Sequence, residues 1–174
     1  DLAVRPAILR SEAVQAISVG IETVREAKAA GLTAVGIGEM GIGNTTTSSA
    51  VLCALTGASV ADVTGRGGGL TDEGYQKKLA VIEAALALHR PDANDPIDVL
   101  TKVGGLDLAA MTGAYLGCAA EHIPAVVDGF ISIVAALCAV RLCPAARDYL
   151  FLSHASYEIG YRIAAEELRQ EPCL

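Results

Sequence analysis

Hydrophobic positions follow a helical period over the first thirty residues. Aliphatic side chains recur there at intervals of three or four, at Val14, Ile17, Ile21 and Val24. This spacing is typical of one buried face of an amphipathic helix. We expect Ser11 to cap the start of the helix, because its hydroxyl can accept a hydrogen bond from a backbone N–H. Gly31 is expected to end it, since glycine readily adopts a left-handed conformation.

Short apolar segments and amphipathic segments alternate along the rest of the chain. The pattern predicts strands at 34–38, 125–128 and 149–152, and helices at 48–55, 71–89, 97–103, 107–121, 129–142 and 156–170. This alternation is typical of an α/β fold, a Rossmann-like parallel sheet with helices on both faces. Three strands are fewer than the usual five or six, so either further strands escape the pattern or the sheet is completed elsewhere. Residues 1–174 contain no linker and are expected to form one domain.

Composition excludes several kinds of partner. The 174 residues carry a net charge of −7, and aromatic residues make up 4% with no Trp. Broad binding to nucleic acid or to an anionic membrane surface is therefore not expected. The uninterrupted apolar run at 130–140 is far shorter than the roughly 20 residues of a membrane span. Five cysteines without zinc-site spacing are expected to be reduced and buried in a cytoplasmic protein.

The first glycine-rich segment, 36–49, favours the binding of one phosphate. Gly36–Gly41 matches the dinucleotide pattern GxGxxG, with Asp62 downstream, but the loop continues past the third glycine, which disfavours a nicotinamide dehydrogenase. In a shifted frame, Asn44 replaces the lysine of a triphosphate loop. A strand that passes through glycines into a hydroxyl-rich helix suits a single phosphate. The alternative is that these hydroxyls only cap the helix.

Other polar residues stand where a parallel sheet places its ligands. Lys78 lies on an apolar helix stripe, so its ammonium needs either a substrate phosphate or an internal partner. Asp128 and Ser153 each follow a predicted strand, at the edge where open parallel sheets bind ligands. His154 is interpreted as a supporting group, because no nucleophile motif accompanies it. Asp107 either belongs to a pocket loop or caps the next helix.

Five motifs together resemble one enzyme family across nearly the whole chain. They are Gly38-Glu-Met-Gly-Ile-Gly-Asn-Thr-Thr46, Gly65-Arg-Gly-Gly-Gly-Leu70 with Lys78, Gly104-Gly-Leu-Asp107, Val127-Asp-Gly-Phe130 and Ser153-His-Ala-Ser-Tyr-Glu158. The family is nicotinate-nucleotide–dimethylbenzimidazole phosphoribosyltransferase, from cobalamin biosynthesis. The resemblance implies transfer of phosphoribose from nicotinate mononucleotide to a benzimidazole nitrogen, giving nicotinate and α-ribazole phosphate. It implies small-molecule substrates, a homodimer, and no cofactor or metal.

The resemblance also implies roles for individual residues. The mononucleotide phosphate would be held by Gly41, Gly43, Asn44, Thr45, Thr46, Gly67 and Lys78. Glu39 and Asp128, with Gly129, would serve the ribose or base region, and Ser153 and Ser156 would line the same pocket. Glu39 would stabilise the positive charge that develops on the ribose as the glycosidic bond breaks.

Two features depart from the family pattern. Thr47 stands where the family commonly has proline. Family members also continue beyond Pro172 into a segment that carries the general-base glutamate, and they have an N-terminal region that encloses the benzimidazole. The chain is therefore expected to be truncated at both ends. The alternative function is a catalytically silent mononucleotide-binding module or regulator that lacks the general base.

Overall fold

The structure is a computed structural model that describes residues 2–174. Eight α-helices and three β-strands follow one another along these residues. The helices are α1 (Arg10–Ala29), α2 (Thr45–Thr56), α3 (Val60–Val63), α4 (Asp72–His89), α5 (Pro96–Val103), α6 (Leu106–Ala120), α7 (Phe130–Leu142) and α8 (Gly160–Leu168). The strands are β1 (Val35–Ile37), β2 (Ala125–Val127) and β3 (Leu150–Leu152), and a 3₁₀ helix at Pro144–Tyr149 precedes β3.

The three strands form one parallel sheet in the order β1-β2-β3. Ile37 lies opposite Val127, and Val127 lies opposite Leu152. These three side chains are buried beneath helices, and the parallel α/β fold is confirmed. On the other face of the sheet, Val126 is 39% exposed and Phe151 is 50% exposed. Residues 2–174 therefore supply a helical layer for one face of the sheet, and the second helical layer that the sequence predicted is not found among them.

Helices α1 and α6 pack against each other with their backbones in contact. A Cβ built on Gly20 would lie 2.0 Å from the carbonyl oxygen of Ala110. A Cβ built on Gly113 would lie 1.9 Å from the carbonyl oxygen of Ile17. Both separations are far below van der Waals contact, so only glycine allows this approach. The pair of helices is thereby held as one unit beside β1.

The start of α1 differs from the sequence prediction. The helix begins at Arg10, and Ser11 lies within its first turn, so the predicted Ser11 cap is wrong. The carboxylate of Glu12 accepts a hydrogen bond of 2.7 Å from the Leu9 N–H and satisfies this terminus instead. Val14 is 45% exposed, because the buried face consists of Ala13, Ile17, Gly20 and Val24. The predicted C-terminal glycine is confirmed, since Gly31 has φ of +88°.

Helix α2 begins earlier and α8 begins later than the pattern predicted. Helix α2 starts at Thr45 rather than at residue 48, which places the threonine hydroxyls in its first turn. Helix α8 starts at Gly160 rather than at residue 156, so the segment after β3 is a loop up to Ile159. The short helix α3 was not predicted.

The apolar segment that contains α7 is a buried helix of the fold. Residues 130–140 are all buried among other elements of the chain. Within the part of the chain that the structure describes, no helix has both the length and the apolar character required to cross a membrane.

The five thiols fall into two groups. Cys53, Cys118 and Cys138 are buried, and burial raises their pKa values to about 11, about 11 and about 12. Cys143 and Cys173 are exposed, so the prediction that all five cysteines are buried is wrong for these two.

We expect two thiols of the native protein to react rapidly with Ellman's reagent at pH 8 and three to react only on unfolding. The thiolate is the reactive species, and burial suppresses its formation. Counting the fast and slow phases before and after adding denaturant checks this expectation. Cys143→Ser and Cys173→Ser should each remove one fast equivalent. A third fast thiol in the native protein would contradict the packing around α2, α6 and α7.

Candidate functional site

A cleft of about 140 Å³ lies where the residues after β1 and β2 meet the first turn of α2. Five residues implicated by the sequence line it: Glu39, Thr45, Asp128, Gly129 and Ser156. Glu158 and Ser132 also line it, and neither was assigned a role from the sequence. The cleft lies at the carboxyl edge of the parallel sheet, which is the position expected for a ligand in this class of fold.

Lys78, on α4, contacts Thr45, a residue of the cleft lining. Its side chain is 6% exposed, as the apolar stripe predicted. The ammonium donates hydrogen bonds to Thr45 Oγ1 at 2.9 Å and to the Gly65 carbonyl oxygen at 3.0 Å. A lysine ammonium has three N–H donors, so one remains for a ligand. Burial lowers the pKa of Lys78, and the negative charge of Glu158 opposes that shift.

Gly67 lies directly against this ammonium. A Cβ built on Gly67 would lie 3.0 Å from Thr45 Oγ1 and 3.8 Å from Lys78 Nζ, and the residue has φ of +55°. The second glycine-rich loop thus brings its backbone beside the start of α2, as a phosphate site requires. Glu158 occupies the adjacent space, because a Cβ built on Gly65 would lie 2.1 Å from Glu158 Oε2.

No side chain among residues 2–174 caps the N-terminus of α2. The Thr47 and Ser48 hydroxyls each donate a hydrogen bond of 2.9 Å to the Asn44 carbonyl oxygen, and Asn44 makes no side-chain cap bond. The alternative in which hydroxyls cap this helix is therefore not what the structure shows. The Thr46 N–H donates to the Gly43 carbonyl oxygen over 3.3 Å. The other first N–H groups of a helix are electron-poor and lack intrahelical acceptors, so they favour an anion.

The Asn44 side chain connects two carboxylates. Its Nδ2 donates to Glu39 Oε2 and, over 3.1 Å, to Asp107 Oδ2. The Gly41 N–H also donates to Glu39 Oε2, at 2.6 Å. A Cβ built on Gly41 would lie 2.7 Å from Asn44 Nδ2 and 2.9 Å from Glu39 Oε2. Glycine at position 41 therefore leaves room for this arrangement, and Asp107 is a contact that local sequence patterns had left undecided.

Asp128, Ser153 and His154 lie together beyond the ends of β2 and β3. The Ser153 hydroxyl donates to the Asp128 carbonyl oxygen over 3.4 Å and lies 2.9 Å from His154 Nδ1. His154 Nδ1 is 4.0 Å from Asp128 Oδ1. A Cβ built on Gly38 would lie 2.8 Å from Asp128 Oδ2. These contacts place Asp128 at the cleft, between the loop after β1 and the loop after β3.

The site thus combines positive and negative groups around the start of α2. The Lys78 ammonium and the uncapped N-terminus of α2 lie beside Thr45, whereas the carboxylates of Glu39, Asp128 and Glu158 line the cleft. A ligand that fits has one anionic group for the ammonium and hydroxyls or a cationic ring for the carboxylates. A model of the phosphoribosyltransferase family matches residues 1–174, the whole of the sequence. The chain belongs to this phosphoribosyltransferase family.

Individual members support the same assignment. The chain is 53% identical to the nicotinate-nucleotide–dimethylbenzimidazole phosphoribosyltransferase of Geobacter metallireducens; the match covers all of this chain and 49% of that protein. It is 49% identical to the protein of the same name from Acetivibrio thermocellus, and this match covers all of this chain and 50% of that protein. A crystal structure of CobT from Thermus thermophilus matches 99% of this chain and 52% of that chain, with a TM-score of 0.94 at 40% identity. The chain therefore spans about half the length of the curated relatives it matches.

Proposed function

We propose that residues 1–174 form the nucleotide-binding domain of a nicotinate-nucleotide–dimethylbenzimidazole phosphoribosyltransferase. The reaction transfers phosphoribose from nicotinate mononucleotide to 5,6-dimethylbenzimidazole or a related base and releases nicotinate. The observation that carries the proposal is the buried Lys78 ammonium, held by Thr45 Oγ1 beside the uncapped start of α2. That corner suits one phosphate monoester, and the adjoining cleft suits the ribose.

The proposed phosphate contacts come from two glycine-rich loops and α4. Backbone segments at Gly41, Gly43 and Gly67 and the start of α2 at Asn44, Thr45 and Thr46 surround the phosphate, and Lys78 supplies the positive charge. The Gly41 N–H and the Asn44 side-chain amide already donate to Glu39, so they border the phosphate without donating to it. Charge-assisted hydrogen bonds of this kind are about twice as strong as neutral ones. Holding the phosphate fixes the ribose so that its anomeric carbon lies in the cleft, and such positioning lowers the entropic part of the barrier.

The proposed catalytic contribution of Glu39 is electrostatic. Breaking the bond between the anomeric carbon and the pyridinium nitrogen returns an electron pair to nicotinate and leaves positive charge on the ribose. A carboxylate already oriented by the Gly41 N–H and by Asn44 stabilises that charge without reorganising during the reaction. Asp128, Gly129, Ser153 and Ser156 line the ribose and base side. The incoming benzimidazole nitrogen then forms the new bond, and a base accepts its proton.

Titration of the chain with nicotinate mononucleotide in a calorimeter tests this proposal. We expect nicotinate mononucleotide and ribose 5-phosphate to bind and nicotinate alone, which lacks the phosphate, not to bind. Adding 5,6-dimethylbenzimidazole then separates the two functional alternatives. Formation of α-ribazole phosphate favours the enzyme, binding without turnover favours a mononucleotide-binding module, and absence of binding by both phosphate esters contradicts the proposal.

The oligomeric state and compartment belong to the same proposal. We infer a cytoplasmic homodimer, which the family resemblance implies. Exposed apolar side chains on the open face of the sheet, such as Phe151, are consistent with a further interface. Light scattering of the purified chain measures its mass and so tests the dimer directly.

A further inference from the structure

We propose that Asp107 is a positioning residue that orients the Glu39 carboxylate through the side-chain amide of Asn44. Asp107 lies in the first turn of α6, and Glu39 lies in the loop after β1. The inference rests on the proposed function, because it concerns the carboxylate assigned to the ribose. Asp107 does not line the cleft and would act on the site through Asn44.

One amide nitrogen supplies both hydrogen bonds of the network. An amide nitrogen has two protons, and in Asn44 one is directed to Glu39 Oε2 and the other to Asp107 Oδ2. If the amide rotated by 180°, the Asn44 oxygen would face two carboxylates at once, which is strongly repulsive. With Asp107 absent, only one carboxylate would oppose that rotation. Asp107 therefore fixes the direction in which Asn44 presents its donor.

The fixed donor in turn sets how Glu39 is presented. Both described hydrogen bonds to the Glu39 carboxylate, from Gly41 and from Asn44, end on Oε2. Oε1 is left to face a ligand. The Asn44 oxygen is buried and has no hydrogen-bond partner among the described residues, so the described contacts of this amide are those of its nitrogen with the two carboxylates.

Two glycines leave space for the network. A Cβ built on Gly105, the residue before α6, would lie 2.6 Å from Asp107 Oδ1. Gly41 encloses the other end, against Asn44 and Glu39. A methyl group at position 105 would meet only the end of a flexible side chain, so it would displace the Asp107 carboxylate while leaving the backbone in place. Gly105→Ala thus perturbs the network without removing Asp107.

The decisive test is whether Asp107→Ala strengthens or weakens the binding of nicotinate mononucleotide. Simple charge repulsion predicts that Asp107→Ala strengthens the binding of an anion, because a nearby negative charge is lost. The positioning role predicts that nicotinate mononucleotide binds about 5- to 10-fold more weakly, the scale of one lost hydrogen bond. Gly105→Ala should weaken binding in the same direction. Asp107→Asn retains an acceptor oxygen and should restore the affinity to within about 2-fold of the wild type.

A double-mutant cycle and an NMR signal separate positioning from a general structural effect. If Asp107 acts through Glu39, Asp107→Ala should have little further effect in a Glu39→Ala background. The side-chain amide signals of Asn44 should shift in Asp107→Ala and Gly105→Ala but not in Asp98→Ala. Asp98 is a matched control, since it also lies in the first turn of a helix, α5, and accepts a backbone hydrogen bond, from Asp92.

Each outcome distinguishes a positioning role of Asp107 from simple charge repulsion or a general structural role. Unchanged or tighter binding by Asp107→Ala, an undiminished loss in the Glu39→Ala background, or unchanged Asn44 signals would overturn the positioning role. If the wild type does not bind nicotinate mononucleotide at all, the proposed function fails. The Asn44 signals in the same variants still report whether the network exists, so the two failures are distinguishable.

Discussion

Replacing Lys78 with alanine is expected to weaken the binding of nicotinate mononucleotide by about 10- to 100-fold. The wild-type ammonium is buried, is already oriented by Thr45 and Gly65, and keeps one N–H for a phosphate oxygen. A hydrogen bond to a charged group contributes about 1.5–3 kcal/mol, which corresponds to that range of affinity. Isothermal titration calorimetry measures the change. Lys77 is the matched control: it adjoins Lys78 on the same helix but is exposed, so Lys77→Ala should change affinity by less than about 2-fold.

The same ammonium predicts a characteristic pH dependence. A phosphate monoester becomes dianionic above about pH 6, so affinity should rise there. Burial lowers the pKa of Lys78 below its usual 10.5, so affinity should fall again as the pH rises through that lowered value. The free energy of unfolding of the unliganded protein should instead increase as the pH rises through that value. A lysine whose pKa is lower in the folded state than in the unfolded state destabilises the fold while it is charged. Lys78→Ala should lose the alkaline fall in affinity. Equal affinities of the two lysine variants would contradict the assignment.

Gly113→Ala is expected to lower the free energy of unfolding by about 3 kcal/mol or more, or to prevent folding. The added Cβ would lie 1.9 Å from the Ile17 carbonyl oxygen, and this oxygen belongs to the backbone of α1. Neither helix can yield locally, so α1 and α6 must separate and lose the packing between them. Overpacking of a protein interior typically lowers the free energy of unfolding by about 1–3 kcal/mol. Because Gly113→Ala also requires a backbone shift, we expect a loss at the upper end of that range or above it. Urea unfolding measures the loss.

Gly74→Ala is the matched control for this change. It also replaces a helical glycine, in α4, but its Cβ would meet nothing closer than Thr71 Oγ1 at 3.3 Å. The gain in helix propensity offsets this tight contact, so stability should stay within about 1 kcal/mol of the wild type. If Gly113→Ala were as stable as Gly74→Ala, the close crossing of α1 and α6 would be incorrect.

Sequence patterns predicted those features that depend on local spacing. The parallel α/β fold, the glycine that ends α1 and the burial of Lys78 all follow from hydrophobic period and from the conformational preferences of single residues. Lys78 lies between apolar positions of α4 that face the core, whereas Lys77 is one position away and faces solvent. The loop motifs were specific enough to predict the phosphoribosyltransferase family, which the family match confirms.

Features that depend on contacts between distant segments could not be predicted in this way. The contact of Asn44 with Asp107 joins the start of α2 to the first turn of α6, and these positions have no periodic relation in the sequence. Glu158 lies against Gly65 because the loop after β3 folds back over the second glycine-rich loop. Burial within such loops is decided by tertiary packing, and local spacing carries no signal for it.

A crystal structure of this chain soaked with nicotinate mononucleotide tests the central claim most directly. That claim is that a single phosphate binds where the first turn of α2 meets Lys78. We expect phosphate density within hydrogen-bond distance of Lys78 Nζ and of the backbone N–H groups at the start of α2, with the ribose directed towards Glu39. Phosphate density at another place, or a Lys78 ammonium turned towards solvent beside an empty corner, would contradict it.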